Sequence, residues 1–214
     1  PMVLAFLVSL GCDIFDSAMY SLAAKRNGYL TTQGTLQLEE LQEFPCSCPL
    51  CSKHDPEEIN KLPKPEREQF LAKHNLYVTF QEIRTIRQAI KEKTLFELVQ
   101  QRVRSHPTLL SAFIHSLKTY KKFFLTQTPF SKPSALKYSG EETLYRPEVI
   151  RVKKLLKNVN FKKSVNKRPL FKYPLELAAT YPFGQSIALE DIQVDPKKIP
   201  KNKQFKAILD YQFG

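Results

Sequence analysis

No stretch of this 214-residue sequence approaches the roughly 20 continuous apolar residues that a membrane span requires. The most apolar run, "MVLAFLVSLG", ends at Gly11, just before Asp13. The basic start and small-residue cleavage site of a secretory leader are missing as well. So are internal repeats and low-complexity tracts. Evenly spread cysteine pairs are also absent: of four cysteines, three crowd into positions 46 to 51 and Cys12 stands apart, which does not make a secreted disulfide framework. These absences predict a soluble, cytoplasmic protein with reduced thiols and no membrane partner. What is present, a 42% hydrophobic share, suffices for at least one buried core and excludes disorder along the whole chain.

The net charge of +12 is unevenly placed. Residues 1–117 carry 13 Lys and Arg against 13 Asp and Glu, whereas residues 118–214 carry 20 against 8. A basic second half points to a polyanion partner, nucleic acid first and an acidic membrane surface second.

Local patterns suggest an α/β chain. Pro1 to Leu10 reads as a helix closed by Gly11, apolar nearly all round and therefore buried. In "CDIFDSA" the alternation of Cys12, Ile14 and Asp16 with Asp13, Phe15 and Ser17 predicts a strand, hence an αβ step of a parallel fold. "GYLTTQGTLQLEEL" predicts a short hairpin around Gly28 and Gly34. Leu76, Phe80, Ile83 and Ile90 recur at helical spacing, and Asn75 is placed to cap a long helix starting just after His74. A further helix is expected over about 107–124, and "TQTPFSKPS" marks a boundary at 127–134. Beyond it, "RPEVIRVKKLLKNV" reads as a basic helix opening at Pro147 and "VDPKKIPKNKQFK" as a basic loop.

The stretch "EFPCSCPLCSKH" carries the sharpest chemical signal. A C-x-C-x2-C spacing gathers three thiolates on one tight turn, which suits tetrahedral zinc. A redox pair needs only "CPLC" and leaves Cys46 superfluous. Spacing alone leaves the fourth ligand open: His54 closes a local knuckle, whereas His74 ties the loop to the long helix. Either way, a Cys3His set has no vacant coordination position, so the zinc is structural.

Together, "PMVLAFLVSLGCDIFDSAMY", "EFPCSCPLC", "AKHNLYVTFQEI", "YSGEETLYRPEV" and "DYQFG" resemble the archaeal type of tRNA-guanine transglycosylase over essentially the whole chain. The resemblance implies the C-terminal portion of a (β/α)8 barrel over residues 1–127, with a zinc subdomain inserted at about 28–74. A small basic α+β domain over 134–214, preceding a PUA domain, would follow. It implies Asp16 as the nucleophile at the end of the last strand, and Cys46, Cys48, Cys51 and His74 as ligands to one structural Zn2+. It further implies exchange of guanine in the tRNA D-loop for 7-cyano-7-deazaguanine through a covalent Asp-ribosyl ester, in archaeosine biosynthesis. The partners implied are tRNA, a 7-deazaguanine base and a second copy or a missing half of the enzyme.

The basic half then meets tRNA, with Arg151, Lys153, Lys154 and Lys157 on one helix as candidate phosphate contacts. The general acid/base and the guanine-holding groups of the family find no counterpart in this sequence. The expectation is therefore a fragment or one piece of a split enzyme, without exchange activity alone. The competing expectation is a noncatalytic zinc-stabilised tRNA-binding or subunit module of the same family. An archaeosine synthase shares the "RPEV" type of segment, but the cysteine cluster counts against it.

Overall fold

The computed structural model describes residues 1–16, 18–128, 139–156, 159–161 and 192–194, with side chains defined as far as Arg151. Among the described residues the chain is mostly helical, with two antiparallel two-stranded sheets. Its contacts divide into two compact units. The first comprises Pro1–Lys91 with Leu98–Leu109, and the second comprises Glu92–Glu97 with Leu110–Gly214. The boundary expected at 127–134 falls mainly on residues outside those described.

In the first unit, α1 (Leu4–Ser9) ends at Gly11, whose φ of 92° is a left-handed conformation that glycine adopts without a Cβ penalty. Only Ala5, Phe6 and Ser9 of α1 are buried, so the helix hides one face and not its whole circumference. Residues 12–16 do not form the expected strand. A strand needs a neighbour to complete its backbone hydrogen bonds, and among the described residues no strand pairs with them. Local bonds take over: the Cys12 thiol reaches the Ile14 carbonyl at 3.4 Å, and the backbone N–H of Ala18 donates to Asp16 Oδ1 at 3.1 Å. Ile14 is 89% exposed.

After α2 (Ala18–Ala24) the expected hairpin forms from β1 (Gly28–Leu30) and β2 (Thr35–Gln37), with Tyr29 opposite Leu36. A Cβ on Gly28 would stand 2.9 Å from the Ala23 carbonyl oxygen, so only glycine lets β1 approach α2 this closely. Asn27 makes the turn into β1 at a φ of 56°, held by side-chain bonds to Glu39 and Arg67. α3 (Pro56–Lys61) has a complete capping box, with Asp55 accepting from the N–H of Glu58, the Glu58 side chain returning to Asp55, and Pro56 at the first helical position.

α4 (Lys64–Lys91) is 28 residues long, about 42 Å at 1.5 Å per residue. It corrects the helix start expected at Asn75. The prolines of "LPKPE" do not interrupt this helix but open it, because a first turn has no intrahelical partner for the N–H groups that proline lacks. His74 and Asn75 therefore lie in its interior, both fully buried. A bidentate ion pair fixes α4 further along, where Arg102 of α5 (Leu95–Val103) donates to the buried Glu82 at 2.8 and 2.9 Å.

In the second unit, the single helix expected over 107–124 is two, α6 (Pro107–Thr119) and α7 (Lys121–Gln127), broken at Tyr120. Phe96, Phe113 and Phe124 form its aromatic core. α8 (Pro147–Leu156) opens at Pro147 as expected. Beside it Arg146, fully buried, bonds Glu97 at 3.1 Å and Glu148 at 2.6 Å. β3 (Val159–Phe161) pairs with β4 (Ile192–Val194), and the expected basic loop and terminal "DYQFG" lie outside the described residues.

Candidate metal centre and catalytic carboxylate

The thiols of Cys46, Cys48 and Cys51 and the ring of His74 converge from a loop and from α4, their ligand atoms all within 4.8 Å of one another. Nδ1 of His74 lies 3.3 Å from the Cys51 sulfur and 3.7 Å from that of Cys48. Tetrahedral zinc with sulfur at about 2.3 Å and nitrogen at about 2.0 Å would set its ligands roughly 3.5 to 3.8 Å apart, so the two His74–sulfur distances already suit the ion and the widest separation would close by up to about 1 Å.

The rest of the site prepares these atoms. Nε2 of His74 faces the Leu30 carbonyl at 3.0 Å; donating there fixes its proton on Nε2 and leaves the Nδ1 lone pair toward the thiols. Burial pulls the His74 pKa down to about 4, against the opposing pull of that carbonyl, so the ring stays neutral and able to ligate. N–H groups of Cys48 and Cys51 point at the sulfurs of Cys46 and Cys48 at 3.4 and 3.5 Å. For Cys48, burial works against the thiolate but the N–H groups of Cys51 and Leu50 prevail, and its pKa is lowered. Burial raises those of Cys46 and Cys51, which resist ionising without a cation. A divalent metal supplies the charge that holds such thiolates together.

A stack of rings backs the cluster. His74 lies on Tyr29 with centroids 3.7 Å apart, Tyr29 on Phe44 at 5.3 Å, and Phe44 on Phe70 at 5.6 Å. Since Phe70 and His74 are one turn apart on α4, the stack leaves the helix, crosses β1 and the cysteine loop, and returns. The Tyr29 hydroxyl meets the Cys51 sulfur at 3.4 Å. His54 is not part of this; it is exposed, 3.3 Å from Glu58, with its ring edge-on to Phe70.

Asp16 is exposed on the segment leading into α2, where it accepts the Ala18 N–H. Of the basic residues expected to contact phosphate, Arg151 is buried. It is 7% exposed, and its guanidinium donates to the carbonyls of Leu125 and Thr128 at 2.5 and 2.6 Å, so it braces α7 against α8. The side chains of Lys153 and Lys154 and the whole of Lys157 lie outside the described residues. Asn75, expected as a helix cap, is instead a tertiary linker inside α4. Its Oδ1 accepts the Leu30 N–H at 2.8 Å while Nδ2 donates to the carbonyls of Gly28 and Tyr20 at 2.9 and 3.1 Å.

A Cys3His cluster that could hold a metal ion thus knits a hairpin to a long helix. Residues 1–108 match the family described as "Queuine tRNA-ribosyltransferase", a span that holds both Asp16 and the whole cluster. The chain belongs to that family. It is similar, at 42% identity over its full length, to the tRNA-guanine(15) transglycosylase of Korarchaeum cryptofilum, of which it covers 36%. It is 48% identical to that of Archaeoglobus fulgidus, with 90% of this chain and 42% of the relative aligned. The Pyrococcus furiosus protein of the same name is 44% identical over the whole chain and 37% of its own length. The chain thus spans about two fifths of the length of these relatives.

Proposed function

We propose that this chain is the nucleophile-bearing and metal-binding part of a tRNA-guanine transglycosylase. The observation that carries the reading is the family match across residues 1–108, which unites Asp16 with a donor set suited to structural zinc. In the proposed reaction a carboxylate oxygen of Asp16 attacks C1′ of the target nucleotide from the face opposite the base. The C1′–N9 bond breaks, guanine leaves with its electron pair and is protonated, and a C1′–O ester joins RNA and enzyme. The incoming 7-cyano-7-deazaguanine then displaces the ester, losing a proton, and two inversions give retention. Cys46, Cys48, Cys51 and His74 would hold one zinc ion, whose role with four protein ligands would be to fix the fold around the reaction and not to take part in it. The barrel surrounding Asp16, the base-holding groups and the second subunit belong to this reading, as does tRNA binding by the basic second half.

The test uses the complete protein that carries this chain, with tRNA and labelled guanine. The unaltered protein should yield an RNA adduct stable on a denaturing gel; Asp16→Asn should bind tRNA and give none. An adduct of normal yield from Asp16→Asn would exclude the assigned nucleophile. Absence of exchange by the unaltered complete protein would favour a noncatalytic tRNA-binding module instead.

A further inference from the structure

Asn75 stands at the junction between the metal cluster and the segment that bears Asp16, and its bonds define what it does there. Resting on the reading of Asp16 as nucleophile, we propose that Asn75 is a positioning residue that holds the start of α2, and with it Asp16, in register with the metal-binding subdomain.

Three observations carry this. First, His74 and Asn75 are consecutive on α4 and grip the same residue of β1: His74 takes the Leu30 carbonyl and Asn75 the Leu30 N–H. The metal ligand and the amide are therefore fixed by one anchor. Second, the other end of the amide reaches outward to α2, since Nδ2 bonds the Tyr20 carbonyl at 3.1 Å while also holding Gly28 at 2.9 Å. Tyr20 is two residues past Ala18, whose N–H the Asp16 carboxylate accepts at 3.1 Å. The path from ligand to nucleophile thus runs His74, Asn75, Tyr20, Ala18, Asp16: His74 and Asn75 are covalent neighbours, Tyr20 and Ala18 lie within the first turn of α2, and hydrogen bonds make the other two steps. Third, the amide orientation is settled by its surroundings. One side meets an N–H and the other two carbonyls, so the reverse orientation would set three pairs of like groups against one another.

Asn75 is fully buried, so it touches no substrate and is not a catalytic residue. Its contribution is placement, and a reacting group displaced by about 1 Å can cost on the order of 100-fold in rate. Asn75→Asp keeps the acceptor for the Leu30 N–H but puts a carboxylate oxygen against the carbonyls of Gly28 and Tyr20, so it strikes the links to α2 and to the start of β1 and spares the bond to Leu30 beside the metal ligand. Gly28→Ala disturbs the same junction from the other side, because its Cβ would meet the Ala23 carbonyl of α2 at 2.9 Å.

Both variants, with Asp16→Asn beside them, are made in the complete zinc-loaded protein and assayed for base exchange on tRNA, adduct formation and metal content. Cobalt(II)-substituted samples report ligand geometry through their thiolate charge-transfer bands. The expected result for Asn75→Asp is a kcat lower by on the order of 100-fold, with KM for tRNA within about twofold, unchanged cobalt bands and one metal per chain. A kcat within about twofold of the unaltered enzyme, or metal lost together with activity, overturns the proposal. Should Asn75→Asp not fold, Gly28→Ala decides: lower kcat with the metal retained supports the junction, and unchanged kcat refutes it. An adduct from Asp16→Asn would instead sink the nucleophile assignment, independently of either junction variant.

Discussion

Replacing His74 with alanine should strip the metal from this protein and unfold its subdomain, whereas His54→Ala should do neither. The size of the effect follows from what the imidazole touches. His74 is fully buried, so truncation opens a ring-sized cavity beneath Tyr29, worth about 3 to 5 kcal/mol by analogy with aromatic truncations. It also strands the Leu30 carbonyl, a buried acceptor whose loss of partner costs roughly 1 to 3 kcal/mol. Before the metal is counted, the loss of about 4 to 8 kcal/mol already rivals the 5 to 15 kcal/mol that a whole domain possesses. Three thiols without their fourth ligand then forfeit much of a binding free energy on the order of 10 to 16 kcal/mol. His54, by contrast, has a side chain 45% exposed and a surface contact to Glu58 worth about 0.5 kcal/mol or less. Elemental analysis after gel filtration, followed by urea unfolding of both variants, makes the comparison. A His74→Ala protein that keeps one metal per chain, or a His54→Ala protein that loses it, would refute the ligand assignment.

In chelator-treated protein the depressed pKa of His74, about 4 when folded against about 6.5 unfolded, makes the unfolded state bind the extra proton first. Stability is therefore complete above about pH 6.5 and falls by roughly 3 kcal/mol as pH drops toward 4, which urea midpoints across that window will show. Arg102→Ala leaves Glu82 buried without its bidentate partner and should destabilise by about 3 to 5 kcal/mol, while the double variant Glu82→Leu, Arg102→Met should cost less. A larger loss in the double variant, read by the same unfolding assay, would show that the pair itself stabilises the fold. With the excess charge of +12 placed in residues 118–214, tRNA affinity should fall steeply between about 50 and 200 mM salt, and a flat response in filter binding would remove the role given to the basic half.

The hairpin and the cysteine cluster were legible in the sequence because their signals are local: Gly28 and Gly34 around β-branched residues, and three cysteines in one turn. His74 was harder, since 23 residues separate it from Cys51 and spacing could not choose it over His54. Only the resemblance to a family singled it out, and the geometry brings its ring to the thiols. The start of α4 was misread for a physical reason. Asn75 has the chemistry of a helix cap, but its side chain bonds β1 and α2, so a tertiary demand overrides its local preference. The strand anticipated at residues 12–16 shows the same limit from the other direction. Alternation in the sequence predicts a strand, yet a strand needs a neighbouring strand to pair with, and none pairs with it among the described residues. Arg151 looked like one basic residue among several, and nothing in its neighbours announced the carbonyls of Leu125 and Thr128 that draw it inward.

The grip of His74 and Asn75 on β1 has a consequence for what happens when the metal is lost. The side of β1 facing away from β2 presents the carbonyl of Gly28 and both polar groups of Leu30, and side chains of α4 occupy all three. In effect, two residues of a helix stand in for a third strand. If the cluster comes apart and α4 withdraws, those groups become an open sheet edge, the kind of surface on which a strand from another molecule can pair. Loss of a metal held by this cluster would therefore do more than loosen one molecule: it would uncover a template for intermolecular β-pairing, so that an ion bound here would also protect against aggregation.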